Sequence, residues 1–446
     1  MYRHGLGDCF LLRFPKTGGG FAHVVIDSGV LKGTADASQK MTEVAQSIEA
    51  ETEGKIDVLV TTHEHWDHVS GFKQAREVWD RIEIAHVWQA WTENPKDKLA
   101  NKIRGDRAAK SEEVVQKFDK LREENSQSLL LDGIRTERVS GLFGFLGAAS
   151  TKELGGTQEA MQYISGRGKP VYHMPGDIAK VPDVAAVNVF VLGPPHDETQ
   201  IKKSDPRKKN SEVYEAEGGA QAFAVSDEGG IVVDDFAPFA PNVGIPVAKD
   251  YNAQFRSQFG SEDRDAWRRL RLDGMAELES LALMLDGDTN NTSLALAFEL
   301  GKGGPVLLFP ADAQVGNWMS WGAVKWKGST VTMDDLFART VLYKVGHHGS
   351  HNATMKDQGL EKMKNRDLIA LVPVNLKMAA KKKWKMPFEP LKNRLMERTR
   401  GRVILADDET PIPKSEDLKQ LTATERKKFE QMVVSTPLFH DVFIRL

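Results

Sequence analysis

Four side chains of metal-ligand type fall within six positions of this 446-residue chain, in Thr61-Thr62-His63-Glu64-His65-Trp66-Asp67-His68. The run before them, Ile56-Asp57-Val58-Leu59-Val60, is short, β-branched and bounded by polar residues, which predicts a buried strand. Val69-Ser70-Gly71-Phe72 and the pattern from Lys73 to Ile82 predict a helix. The cluster is therefore expected on the loop at a strand's carboxyl end, where α/β proteins place their ligands. A loop can turn His63, His65, Asp67 and His68 inward together. A strand would point His68 away from the other three, and a helix would spread all four around its circumference. Imidazole with carboxylate, and no thiolate, suits zinc, with manganese or iron as alternatives.

Composition narrows the setting. The length allows two or three average domains or one large layered fold. Hydrophobic residues at 40% and charged residues at 28% describe an ordinary globular protein. There is no run of 18 apolar residues, so no membrane span is expected. Met1-Tyr2-Arg3-His4-Gly5 shows no secretory core. The single cysteine, Cys9, excludes an internal disulfide and fits a reducing, cytoplasmic setting. A net charge of −3 means that any nucleic-acid surface must be local.

Other stretches supply framework. Phe10 to Phe14 and His23 to Ile26 read as strands, the first leaving little room for anything before it, so its edge is expected to be open or paired with a partner. Residues 37–52 read as a helix with Met41, Val44, Ala45 and Ile48 on one face, and Ile82 to Trp88 as a strand in which His86 is structural. A long charged helix is expected over 99–124, lying across the surface. Leu142 to Ser150 is a small apolar patch with no evident chemistry. Pro175-Gly176-Asp177-Ile178 signals a hairpin, and Val187 to Leu192 is a strand stopped by Gly193-Pro194-Pro195. Composition then turns polar to about residue 250, and Trp267 to Leu285 reads as an amphipathic helix. An acid closing the apolar strand Pro305 to Phe309, Asp312, is costly unless paired or holding a metal. Thr340 to Val345 is a last strand before Gly346-His347-His348-Gly349-Ser350.

His63-x-His65-x-Asp67-His68 after an apolar strand resembles the signature of the metallo-β-lactamase superfamily. The resemblance implies an αββα sandwich whose loops hold one or two metals between two sheets. Gly5-Leu6-Gly7-Asp8, Asn290-Asn291-Thr292-Ser293 and above all Gly346 to Ser350 resemble the nuclease domain of the DNA-uptake protein ComEC and its soluble relatives. By the resemblance Asp27 is a turn residue outside the ligand set. Asp312 matches the metal-bridging aspartate, with Ala311 where the family has glycine. One of His347 and His348 is the final ligand, and the other orients it or acts as an acid. The middle histidine of two-metal members has no clear counterpart. His196 and Asn291 are the candidates for that third ligand, and the His63/His65 position is left one protein ligand short.

The segment 356–446 reads as strand, helix, strand and a charged helix over Ser415 to Phe429, after which Val442-Phe443-Ile444 closes a sheet edge. Between Lys377 and Arg402 lie ten basic and two acidic residues. Lys381, Lys382, Lys383, Trp384 and Lys385, with Arg394, combine cations with an aromatic ring, which favours backbone phosphate and a stacked base.

These readings combine into one expectation. The chain is an α/β metallo-β-lactamase-type αββα domain spanning 1–446, with a polar insertion at 196–265 and 356–446 completing the sandwich. One or two Zn2+ ions, or Mn2+, held by His63, His65, Asp67, His68, Asp312, His347 and His348, would lower the pKa of a bound water towards 7 and position the hydroxide. Asp67, Asp312 and His348 would act in catalysis. The resemblance implies a nuclease or phosphodiesterase acting on DNA or RNA, in a nucleic-acid-handling or antiviral defence assembly contacted through 99–124 or 196–265. The alternatives are a hydrolase of a small ester, lactone or cyclic nucleotide, and a metal-containing subunit without turnover.

Overall fold

The computed structural model describes residues 1–124, 141–145, 155–207, 211–215, 273–382, 384–407 and 417–444. Two sheets carry the architecture. The first has five strands in chain order, β1 (Phe10–Pro15), β2 (Phe21–Ile26), β3 (Lys55–Thr61), β4 (Glu83–Ala90) and β5 (Lys169–His173). The second has seven: β6 (Ile178–Ala179), β7 (Val187–Gly193), β8 (Ala295–Leu300), β9 (Val306–Phe309), β10 (Thr340–Lys344), β11 (Ile369–Val372) and β12 (Val403–Leu405). The late strands β11 and β12 thus extend the same sheet as β7 to β10.

Alternation along the strands explains the stacking. Val24 and Ile26 of β2, with Val58 and Val60 of β3, meet Val189 and Val191 of β7 and Leu296 and Phe298 of β8 in a shared inter-sheet core. Phe10 and Phe309 close it edge to face, with centroids 5.5 Å apart. The opposite residues, Val25 and Leu59, pack on helices Ala37–Glu51 and Trp66–Gln74, whereas Phe190, Leu192 and Ala297 pack under Trp318 and Leu391 of helices Val315–Ser320 and Glu389–Thr399. Period-2 strands buried on both faces give the layers helix, sheet, sheet, helix. This is a mixed α/β fold consistent with the metallo-β-lactamase sandwich.

Several local expectations change. Pro175 to Asp177 is a turn, but it carries the chain from β5 in one sheet to β6 in the other instead of folding a hairpin. β1 is the outermost strand of its sheet and pairs with β2 alone among the described strands, and the residues before it are held from within the chain: Met1 and Arg3 exchange backbone hydrogen bonds with Leu438 and His440, and Tyr2 bridges Phe439. Val442 ends β14 (His440–Val442), which pairs with β13 (Val433–Ser435) as a separate ribbon. The charged terminal helix runs Ala423–Met432. The long helix runs Lys98–Glu124 and is packed down: Val114, Val115 and Phe118 meet Leu278, Ala282 and Leu285 of helix Asp273–Asn290. Most of the 196–265 insertion lies outside the described residues, as does the start of the helix expected from Trp267.

Parallel pairing positions the chemistry. β2 runs parallel to β3, and β9 parallel to β10. Their carboxyl ends therefore deliver Asp27, the histidine loop, Asp312 and His347-His348 to one region.

Candidate metal centre

β3 ends at Thr61, His65 caps the next helix, and Trp66–Gln74 begins inside the motif. His63 and His65 are thus on the loop, and Asp67 and His68 in the first helical turn. Splitting the motif across this boundary turns all four inward, which neither element alone could do. Two neighbouring turns hold the backbone. The Asp8 amide donates to the Asp67 carbonyl at 3.0 Å and the Ser28 amide to the His68 carbonyl at 2.8 Å. A Cβ at Gly29 would stand 2.4 Å from the Asp67 carbonyl carbon and the His68 nitrogen, so only glycine allows this approach.

Ligand-type atoms of Asp67, His68, Asp312 and His348 lie within 4.8 Å of one another, and all four residues are buried. His348 Nε2 stands 2.8 Å from Asp67 Oδ2, and His68 Nε2 3.1 Å from Asp312 Oδ2. Both rings have their other nitrogen on an outer acceptor: His348 Nδ1 donates to the Pro373 carbonyl at 2.7 Å, and His68 Nδ1 to Asp27 Oδ2 at 2.8 Å. Each Nε2 therefore faces a carboxylate from inside. Asp27, at φ +56°, turns the chain and orients His68, while also accepting from the Thr62 amide and hydroxyl at 2.8 and 2.6 Å; with Asp8 and His68 it forms a second buried group that could hold a metal ion.

Charge balance follows. Burial opposes protonation of His68, but Asp312, Asp67, Asp8 and Asp27 outweigh it and hold the ring well above the usual imidazole range. His348 is raised in the same way, against burial, by Asp67 and Asp312. Burial would push Asp312 up, yet Lys344 and His68 take it well below the usual carboxylate range. Both rings thus favour the charged form in the ground between Asp67 and Asp312. A divalent cation fits there better, since it would take both Nε2 lone pairs and both carboxylates while the outer acceptors keep the Nδ1 protons.

His63 and His65 lie alongside. The Thr62 hydroxyl hydrogen goes to Asp27, so its oxygen accepts from His63 Nδ1 at 3.0 Å and leaves His63 Nε2 bare, 3.1 Å from His65 Nδ1. Burial first, then neighbouring imidazoles, keeps His63 neutral, and burial takes His65 down to about 3.

His347 is not in the converging set. Both histidines adopt left-handed backbone, at φ +42° and +52°, yet only His348 turns inward. His347 Nδ1 lies 3.1 Å from the Ser350 hydroxyl and 3.5 Å from Gln314 Nε2, and its Nε2 is a buried atom without a partner. Burial pushes the ring down to about 4. At neutral pH His347 is therefore a neutral ring and not the imidazolium acid suggested by the resemblance.

Neither candidate for the third ligand reaches the site. His196 is 41% exposed and pairs with Asp97 at 3.1 Å. Asn291 spends its amide on structure: Nδ2 donates to the Ile201 and Lys203 carbonyls, and Oδ1 accepts from the Gln314 and Asn317 amides.

Of the proposed substrate contacts, Trp384 and Lys385 line a cavity of about 470 Å³ that opens beside His347. Trp384 stacks on Phe145 at 5.2 Å and 19°. Lys381 ends helix Leu376–Lys381 with Lys382 as its cap, neither lining the cavity, and Lys383 lies outside the described residues. Arg394 is committed elsewhere, gripping Glu361 at 2.6 and 2.7 Å and pairing with Glu397.

Four residues escaped sequence reasoning. Phe145, from the patch judged inert, lies 5.7 Å from His65 and 5.9 Å from His347. Lys344 is 1% exposed and bridges Asp8 at 2.6 Å and Asp312 at 3.0 Å. A lysine inside the run Thr340 to Val345 was the available signal, because a buried cation demands carboxylate partners. Asp8 hid in a glycine turn. Asp286 is buried on helix Asp273–Asn290, with Oδ1 3.7 Å from His65 Nε2.

Residues 3–142 match the metallo-beta-lactamase superfamily. The match contains the whole histidine loop and both clasping turns, and it goes no finer than the superfamily. No curated protein and no solved structure matches the chain. A metallo-β-lactamase-type region at this end of the chain and its buried His/Asp set together indicate a metal-dependent hydrolase. No helix among the described residues is long and apolar enough to cross a membrane.

Proposed function

We propose that this chain is a metal-dependent phosphodiesterase that cleaves single-stranded DNA or RNA. The convergence of Asp67, His68, Asp312 and His348 carries the hydrolytic part of this reading. Asp67, His68, Asp312 and His348 would hold a divalent ion there, which would supply Lewis acidity for hydrolysis. Lys344 holds Asp312 in place through a 3.0 Å contact. His347 lines the cavity with an unpartnered Nε2 that can hydrogen-bond the substrate.

The substrate class rests on the cavity. Phe145 and Trp384 offer an aromatic wall, and Lys203 and Lys385 stand beside it, with Lys202 already paired to Glu198 at 2.6 Å and with Asp205, Glu279 and Asp286 on the same lining. Rings plus lysines favour a base beside a backbone phosphate. The cavity is pocket-sized, and with Arg394 neutralised the surface favours a flexible strand over a duplex. The same enclosure supports a second reading, hydrolysis of a cyclic nucleotide or another small ester.

The test is zinc- or manganese-dependent cleavage of single- and double-stranded DNA and RNA, beside cyclic nucleotides and a chromogenic phosphodiester. Asp67→Ala and His68→Ala should each lower turnover by at least ~100-fold, since each would remove an ion ligand. Cleavage surviving both substitutions overturns the site. Turnover of small diesters with no cleavage of single strands overturns the nuclease reading in favour of the second.

A further inference from the structure

Three of the four inward-turned imidazoles at the centre have a ring N–H held by an outer acceptor. His63 has the Thr62 hydroxyl, His68 has Asp27, and His348 has the Pro373 carbonyl. His65 is the exception. Its Nδ1 is occupied with His63 Nε2 at 3.1 Å, and its buried Nε2 has no hydrogen-bond partner. The nearest carboxylate oxygen is Asp286 Oδ1 at 3.7 Å, itself buried and without a hydrogen bond. The other oxygen, Oδ2, accepts from Asn290 Nδ2 at 3.1 Å.

These two orphans account for one another once an ion is considered. His63 Nε2 is a bare lone pair, because its Nδ1 proton is committed to Thr62. His65 Nδ1 points at that same place, and two nitrogens 3.1 Å apart span one edge of a metal's coordination shell. For His65 to offer Nδ1 to an ion, its proton must move to Nε2, which then needs an acceptor. Asp286 is positioned to be that acceptor, and it borders the cavity, which leaves its carboxylate room to close the remaining distance.

We propose that Asp286 is the positioning residue of a second metal site formed by His63 Nε2 and His65 Nδ1, accepting the His65 Nε2–H when the ion binds. The inference rests on the metal-hydrolase reading of the neighbouring Asp67/His68/Asp312/His348 set. It makes the His63/His65 half a built site although neither His196 nor Asn291 reaches it. It also assigns a function to helix Asp273–Asn290, which lies outside the stretch that matches the superfamily.

The experiment titrates zinc into the chelator-treated full chain and reads stoichiometry and affinity by calorimetry and elemental analysis, with thermal melts of each ion-free variant. The native chain is expected to bind two ions. Asp286→Ala should weaken the second by roughly 10–100-fold, the usual effect of losing an outer partner of a ligating histidine. It should leave the first ion unchanged and raise the ion-free melting temperature, because a buried carboxylate without a full set of partners is removed. Asp286→Asn retains an oxygen acceptor and should restore most of the second affinity.

A native chain that binds one ion, or two ions with unchanged affinity in Asp286→Ala, overturns the proposal while the hydrolase reading stands. Loss in Asp286→Asn equal to that in Asp286→Ala makes the carboxylate a direct ligand and overturns the positioning role. A chain that binds no zinc at all overturns both.

Discussion

At Ala311 the backbone stands at φ +53°, in the left-handed region that an alanine enters at a cost of roughly 1–2 kcal/mol. The strain has a use. It lets the chain leave β9 and turn the Asp312 amide to the Ser293 hydroxyl at 3.2 Å, while the Ala311 carbonyl accepts from Lys344 at 2.9 Å. The resemblance expects glycine at this step, and the geometry gives a reason for it. Ala311→Gly should therefore stabilise the protein by about 1 kcal/mol, read as a rise in the urea midpoint with an unchanged slope. No change, or a loss, would show that the turn is relaxed in solution. His347 and His348 carry the same strain beside it, which suits a site that holds side chains in place against local preference.

Elements join through their ends. The two terminal segments clasp one another through Tyr2 and Phe439, with ring centroids 6.0 Å apart, and through Arg3, whose guanidinium donates to the Ala406 and Thr436 carbonyls. His440 sits in this clasp, 1% exposed, with Nδ1 2.7 Å from the Ser435 hydroxyl. Burial, then the Arg3 guanidinium and the terminal ammonium, lowers its pKa from 6.5 to about 4. The folded state thus prefers the neutral ring. Its contribution is whole above pH 6.5 and is lost as pH falls from 6.5 towards 4, at up to ~1.4 kcal/mol per unit. Stability measured at pH 7 and pH 5 should differ by roughly 2 kcal/mol from this group. His440→Asn, which retains an acceptor for Ser435, should flatten that difference. An unchanged pH slope in the variant would remove His440 as its origin.

Across the whole molecule, the two sheets are held together by an apolar core everywhere except at one end, where buried carboxylates and imidazoles replace it. Asp8, Asp27, Asp67, Asp286 and Asp312 are all buried there beside Lys344, His68 and His348, and burial raises the Asp27 and Asp286 carboxyls above their usual range. A cation at this end should stabilise the sandwich as a unit. Zinc at a hundred times its dissociation constant should add about 2.7 kcal/mol, and a chelator should remove it, as read by thermal unfolding. Asp67→Ala should reduce the zinc effect to what an ion at His63 and His65 contributes, and a chelator-insensitive melt of the native chain would contradict it.

Periodicity and local chemistry sufficed for what is short-range. The short, β-branched run from Ile56 to Val60 named a buried strand, and the spacing from His63 to His68 named a metal loop. Asp312 was legible as well, because an acid closing an apolar strand is costly without a partner, and the His347-His348 pair was legible through the resemblance. What sequence could not supply was direction. Two adjacent histidines with the same local preference differ only in where a left-handed backbone aims them, so the separation of His348 from His347 waited for the packed sheets. His196 and Asn291 looked like ligands by order along the chain, yet Asp97 and the Gln314 turn claim them through contacts formed only on folding. Phe145 and Asp286 carry no local signature at all. A phenylalanine or a helical aspartate becomes part of a site only when distant elements bring its side chain against an imidazole, and that proximity is a property of the fold alone.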